Sequence, residues 1–125
     1  MKVKSAAGIV CYVKSVPKTV NFYKTLGFTF RKNETRHATG YINWFWIDFR
    51  EAEAGDKSVR GKAKTRNGGG GQLLCLSVDD IDAAYKSLIA KGLRPSSEPH
   101  ETSRGNHEFI IRDPDGYALT IFERA

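Results

Sequence analysis

The chain has 125 residues, 40% hydrophobic and 27% charged, with 20 Lys and Arg against 14 Asp and Glu and a net charge of +6. That is the length of one domain, and the composition belongs to folded rather than disordered proteins. No apolar run approaches the roughly 18 residues of a membrane span. The two cysteines, Cys11 and Cys75, are too few for a disulfide framework or a closed cysteine zinc site, so a cytoplasmic protein with reduced thiols is expected.

The first predicted element is a strand over Ala7–Val13, too short to be a signal-peptide core. Ser15 is a good N-cap for the helix that follows, and Pro17 is tolerated in its first turn. Val16, Val20, Tyr23 and Leu26 share one helical face, and Gly27 sits where a helix end wants positive φ. Phe28–Lys32 then alternates as an edge strand, and Arg36–Ile42 with Phe45–Arg50 reads as a hairpin turning at Asn43-Trp44. Residues 51–72 are polar, with five basic residues between Lys57 and Arg66 and four consecutive glycines, and read as a solvated linker. No aromatic residue is interleaved there for base stacking, so no nucleic-acid partner is expected.

Leu73–Val78 is the next strand, capped into a helix by Asp79 and Asp80. Ile81, Ala84, Tyr85 and Leu88 form its apolar stripe and Gly92 ends it. Arg94–Glu98 is a weak strand. Glu108–Arg112 and Tyr117–Glu123 are strong strands, joined by the turn Asp113-Pro-Asp-Gly116. Strand, helix stripe and closing glycine repeat at a constant offset of 65, Val13 falling on Val78, Val16 on Ile81 and Gly27 on Gly92. The chain therefore reads as an internal duplication: one module over 1–50, a linker over 51–72 and a second module over 73–125.

Three segments carry a family resemblance. Val13–Phe28 resembles the first strand and helix of the vicinal oxygen chelate superfamily, Leu76-Ser-Val-Asp-Asp-Ile-Asp resembles the start of its second module, and Glu108–Glu123 is similar to its C-terminal hairpin. The resemblance implies an α+β fold in which two βαβββ modules form a curled mixed sheet around a cleft. It also implies a homodimer. Relatives include glyoxalase I, extradiol dioxygenases, methylmalonyl-CoA epimerase, and fosfomycin- and bleomycin-resistance proteins.

Enzymes of that superfamily hold a divalent metal on the first and last strands of each module, which takes about three protein ligands. Counting from the shared helix signals, those positions fall on Gly8, Leu73, Thr120 and about Asp48. Glycine, leucine and threonine do not make a metal site, and shifting the count by one brings in Ile9, Leu74 or Leu119, which also fail. No metal or other cofactor is therefore expected. His37, His100 and His107 read as strand or loop histidines without a ligand partner.

Strand alternation gives the expected cleft lining. Gly8, Val10 and Tyr12 face it from the first strand, with Ile9, Cys11 and Val13 under the helix. Trp46 and Asp48 face it from the fourth strand, with Phe45, Ile47 and Phe49 in the core. In the second module Leu73, Cys75 and Ser77 face it, with Leu74, Leu76 and Val78 behind, and Ala118, Thr120 and Phe122 face it from the last strand. Trp46 and Phe122 either line an open cleft or fill it. Asp48 offers a partner to a ligand cation and Arg112 an anchor to a ligand carboxylate. Cys75 reads as a buried, inert thiol, and Trp44 as a turn or dimer-contact residue.

Two functions follow. The first is a metal-free small-molecule binder, similar to bleomycin-resistance proteins and so with a place in antibiotic resistance. It would bind an aromatic or cationic ligand through Tyr12, Trp46, Asp48, Cys75, Ser77, Arg112, Thr120 and Phe122. The second is a metal-dependent glyoxalase, lyase or dioxygenase-like enzyme with a non-standard site drawing on Asp48, His37 or His107.

Overall fold

Ser15 and Asp80 start the two helices in the computed structural model, which describes residues 1–53 and 72–125. Ser15 Oγ accepts from Lys18 N at 3.4 Å and Asp80 Oδ1 from Ala83 N at 3.0 Å, each satisfying a first-turn donor that the helix leaves open. Glu123 Oε1 accepts from Ile81 N at 2.8 Å and ties the end of the chain to the second helix. The helices run over Val16–Thr25 (α1) and Ile81–Ala90 (α2). Gly27 at φ 101° and Gly92 at φ 86° lie beyond their ends, where the left-handed backbone excludes most side chains. Phe28 N then returns to Tyr23 O, and Leu93 N to Leu88 O, both at 3.0 Å. Caps, helix bounds, glycines and return hydrogen bonds thus repeat at the offset of 65 that the sequence carries.

The chain divides into two compact units, Met1–Arg60 and Gly61–Ala125. The first holds β1 (Gly8–Val13), α1, β2 (Thr29–Asn33), β3 (His37–Ile42) and β4 (Phe45–Glu51). Its strands lie in the order β1-β4-β3-β2, with β1 parallel to β4 and the other pairs antiparallel. The second holds β5 (Leu74–Ser77), α2, β6 (His100–Glu101), β7 (His107–Arg112) and β8 (Ala118–Glu123). Its order, β5-β8-β7-β6, reproduces the first, with β5 parallel to β8. Each unit is thus a mixed four-stranded sheet with one helix, an α+β arrangement of strand, helix and three strands. Among the described residues, no helix is long and apolar enough to cross a membrane. The linker expected over 51–72 lies mostly outside the described residues.

Apolar residues at alternate strand positions and on the helix stripe build each core. In the first unit Tyr23 of α1 packs edge-on to Phe28 (5.2 Å between centroids) and against Phe49 of β4 (4.7 Å). Val13, Val16, Val20 and Ile47 are buried with them. In the second unit Tyr85 of α2 meets Phe109 of β7 edge-on at 5.3 Å, and Ile81, Leu88, Ile111, Leu119 and Ile121 are buried.

The structure corrects three expectations. Arg94–Glu98 is not a strand. Pro95 and Pro99 lack N–H donors, and Ser97 uses its side-chain oxygen to accept from Ile110 N (3.0 Å) where a strand would offer a carbonyl. Only Ser96 N makes a ladder-like bond, to Ile110 O at 2.7 Å, and the regular pairing shrinks to His100–Glu101. Ile9 is not under the helix but 46% exposed, because β1 is the outermost strand of its sheet and has a strand neighbour on one side only. Cys75, on the face of β5 opposite Leu74 and Leu76, is exposed and is not a buried thiol. Leu74, Leu76 and Val78 are half-buried.

Candidate functional site

The hairpin at Asn43-Trp44 decides which side chains meet on the first unit's sheet. Asn43 takes φ 53°, a left-handed conformation that Asn tolerates better than most residues. Counted outward from Ile42↔Phe45, the ladder pairs Tyr41 with Trp46, Thr39 with Asp48 and His37 with Arg50. On the other side of β4, β1 pairs Gly8 with Trp46, Val10 with Asp48 and Tyr12 with Arg50. Ile47 and Phe49 point to α1, so alternation turns all nine of these residues to the opposite face. The face has an aromatic end, Trp46 and Tyr41 beside Gly8, and a charged end, Arg50 and His37 beside Tyr12, with Asp48 and Thr39 between.

Asp48 is the hub of the charged end. It is 8% exposed and accepts from three side chains. Thr39 Oγ1 donates to Oδ1 at 3.0 Å, His37 Nε2 bonds the same oxygen, and Arg50 reaches Oδ2 through Nε at 2.9 Å and a second guanidinium nitrogen at 2.8 Å. Burial pushes the Asp48 carboxyl up, but the hydrogen bonds from Arg50, His37 and Thr39 outweigh it and hold the group below the ordinary aspartate value. The same contacts hold Arg50 as a cation: Asp48 first, and then Tyr12, raise its pKa. Asp48 therefore has its charge compensated within the unit and is not the open partner for a ligand cation that the sequence suggested. His37, read from the sequence as a strand histidine without a metal-ligand partner, is tied into the array by its hydrogen bond to Asp48. Two-residue counting along β4 from Asp48, with hairpin counting across to β3, was the signal that could have found Arg50, Thr39 and His37.

At the aromatic end Trp46 is half-buried and lies directly over Gly8. A Cβ built on Gly8 would overlap both the Trp46 indole and the Trp46 carbonyl oxygen. The indole could swing aside, but the carbonyl belongs to the strand ladder and could not. Gly8→Ala is accordingly expected to destabilise by about 1–3 kcal/mol, as overpacking does, and to change the Trp46 emission spectrum. A denaturant melt, with fluorescence read in a Trp44→Phe background, checks both. Beside Trp46, the Arg31 guanidinium stacks over the Tyr41 ring at 4.6 Å.

The remaining sequence-derived site residues belong to the second unit. Ser77 pairs with Phe122 and Cys75 with Thr120 on β5 and β8. Cys75 and Ser77 are exposed, Phe122 is half-buried and Thr120 is 5% exposed. Thr120 holds the ladder place that Asp48 holds in the first unit, since Val10↔Asp48 corresponds to Cys75↔Thr120 at the offset of 65. By the same correspondence Phe122 stands for Arg50 and Glu108 for His37, so the charged array is not duplicated. Arg112 Nη1 donates to Gly116 O at 2.9 Å and so braces the β7–β8 turn. Asp113 Oδ1 accepts from Asp115 N and Tyr117 N, both at 2.9 Å, and Gly116 takes φ 88°, the turn roles their residue types imply.

The donor set does not fit the family's divalent metal. Gly8 has no donor and no room for one under Trp46, Leu73 has none, and Asp48 is committed to Arg50, His37 and Thr39. Among the described residues, no three His, Cys, Asp or Glu side chains are grouped so as to hold a metal ion. Trp44, 70% exposed, is a turn residue.

Comparison with known proteins agrees with this duplicated architecture. Solved structures superpose over essentially the full chain. A virulence protein from Salmonella typhimurium is 19% identical, with all of both chains covered and a TM-score of 0.73. A glyoxalase/bleomycin resistance protein/dioxygenase from Nocardioides is 18% identical, with 99% of this chain and 86% of that one covered and a TM-score of 0.75. A lactoylglutathione lyase from Agrobacterium tumefaciens is 17% identical, with 98% and 96% covered and a TM-score of 0.71. No curated protein matches the sequence. These likenesses establish the fold. The family model that matches residues 6–121 spans both strand-helix-strand units and the closing hairpin, and it places the chain in the Glyoxalase/Bleomycin resistance protein/Dioxygenase superfamily.

Proposed function

We propose that this protein is a metal-free small-molecule binder of its superfamily, taking a flat aromatic ligand on the sheet face of the first unit. The observation that carries the reading is Trp46 lying over Gly8. Where the family's enzymes place a metal-binding side chain, this chain has a bare backbone covered by an indole. Tyr41 is paired across the ladder from Trp46 and widens the aromatic surface. Such a surface recognises planar rings by stacking and by burial of apolar area, and needs no cation to do so. Tyr12, Trp46 and Asp48 remain its residues from the sequence reading, with Tyr41, His37, Thr39 and Arg50 added. A homodimer, as the family resemblance implies, is part of the proposal.

The test combines metal analysis with ligand binding. Protein purified without chelator is expected to hold far less than one transition metal per chain by elemental analysis. Planar aromatic compounds are expected to quench Trp46 emission in the Trp44→Phe protein and to raise its melting temperature. Trp46→Ala should abolish that rise. One tightly held transition metal per chain would overturn the metal-free reading.

A further inference from the structure

We infer that the ligand of this face carries a carboxylate, or an oxyanion of like geometry, which Arg50 binds while the ring rests on Trp46. The inference rests on the aromatic-site reading above and adds the charge of the ligand. Three features of the sheet carry it.

The first is the state of Asp48. It is the one carboxylate among these ladder positions, and it is buried and bonded to Arg50, His37 and Thr39. A ligand cation would have to displace Arg50 to reach it. The acids near the rim of the sheet are also matched, Glu51 with Arg36 at 2.7 Å and Glu34 with Lys32 at 3.5 Å.

The second is Arg50 itself. A guanidinium has five N–H donors in a planar fork. Asp48 takes the Nε donor and one on a terminal nitrogen, and Tyr12 takes another. Donors remain, and the side chain is 47% exposed. The two bonds to Asp48 hold the fork in place, so less side-chain entropy is left to lose when an anion docks. Asp48 is in this sense a positioning residue. Two more cations lie near this face among the described residues of the unit: Arg31 stacks on Tyr41, and Lys32, the ladder partner of Thr39, is paired with Glu34.

The third is spacing. Trp46, Asp48 and Arg50 are alternate residues of one strand, which puts Trp46 and Arg50 about 13 Å apart along the backbone. Both side chains are long enough to lean inward over Asp48. A ring with an acid group on it, or one short link away, matches that separation.

The experiment uses three probes that differ only in their polar group: 2-naphthoate, 2-naphthamide and 2-naphthylmethylammonium. Binding to the full chain is measured by calorimetry and by quenching of Trp46 in the Trp44→Phe background. The acid is expected to bind at least tenfold more tightly than the amide, the gain of one charge-assisted contact, and the ammonium more weakly than either. Raising the salt should narrow the gap between acid and amide. Arg50→Gln should reduce the acid-to-amide ratio to about one, and Arg50→Lys, which keeps a charge beside Asp48, should restore part of it. Circular dichroism melts confirm that each variant is folded. Equal affinity for acid and amide, or preference for the ammonium, would overturn the carboxylate assignment while leaving the aromatic site standing. If none of the probes perturbs Trp46 or gives a binding heat, the aromatic site and the carboxylate assignment fall together.

Discussion

Phe49→Ala is expected to remove about 3–5 kcal/mol from the stability of the protein, the usual cost of emptying a fully buried aromatic position. Phe49 is 0% exposed, with the Tyr23 ring 4.7 Å away and the Phe30 ring at 6.1 Å. Small domains are stable by only about 5–15 kcal/mol, so this one substitution takes a large share. Urea melts should show a lower midpoint with an unchanged slope. A loss under about 1 kcal/mol would mean that the ring is not packed as described. The consequence reaches the candidate site because Phe49 lies between Asp48 and Arg50 on β4. The ring fixes the strand from the α1 side, and its two neighbours project from the other. Core packing and the geometry of the candidate site are therefore set by one stretch of chain.

Asp48→Ala is expected to cost about 2 kcal/mol at neutral pH, since it strips the partner from three donors in a mostly buried position. The sign of the pH dependence follows from its lowered pKa. Arg50, His37 and Thr39 together prevail over burial and favour the ionised form in the folded protein. The contribution is then present in full above the ordinary aspartate value of 3.8 and is lost as pH falls through the lower, folded value. Below about pH 4 the native protein should lose stability faster than Asp48→Asn, and the two curves should converge in acid. Parallel curves throughout that range would show that Asp48 gains nothing from its partners. Asp48→Asn should also weaken the preference for an acid ligand, because Arg50 loses the charge that orients it.

The helices, the closing glycines and the C-terminal hairpin were legible because their signals are local. A serine or aspartate cap, an apolar stripe and a glycine at positive φ act within a few residues of one another. The duplication was legible for the same reason, as those signals recur at one spacing. Alternation along β4 also assigned Trp46 and Asp48 to one face and Ile47 and Phe49 to the other, as the structure has them. The residues that surround Asp48 were less accessible. Arg50 follows from two-residue counting along β4, but finding Thr39 requires the register of β3 on β4, which the Asn43-Trp44 turn sets. Finding His37 requires in addition that its ring reach diagonally from opposite Arg50 to Asp48. Alternation reports the face on which Ile9 and Cys75 lie and is silent on how far that face is covered, and both are exposed.

The sequence by itself determined the duplicated strand-helix-strand units, the superfamily, and the absence of a histidine or carboxylate at Gly8, Leu73 and Thr120. Only the tertiary structure decided what Asp48 does. A carboxylate read from sequence is a free negative charge, open to any cation. Folded, it is bonded to Arg50, His37 and Thr39, and the group left facing outward is the guanidinium. The reversal has a simple cause: the charge a surface presents depends on which neighbours strand pairing brings within hydrogen-bond reach.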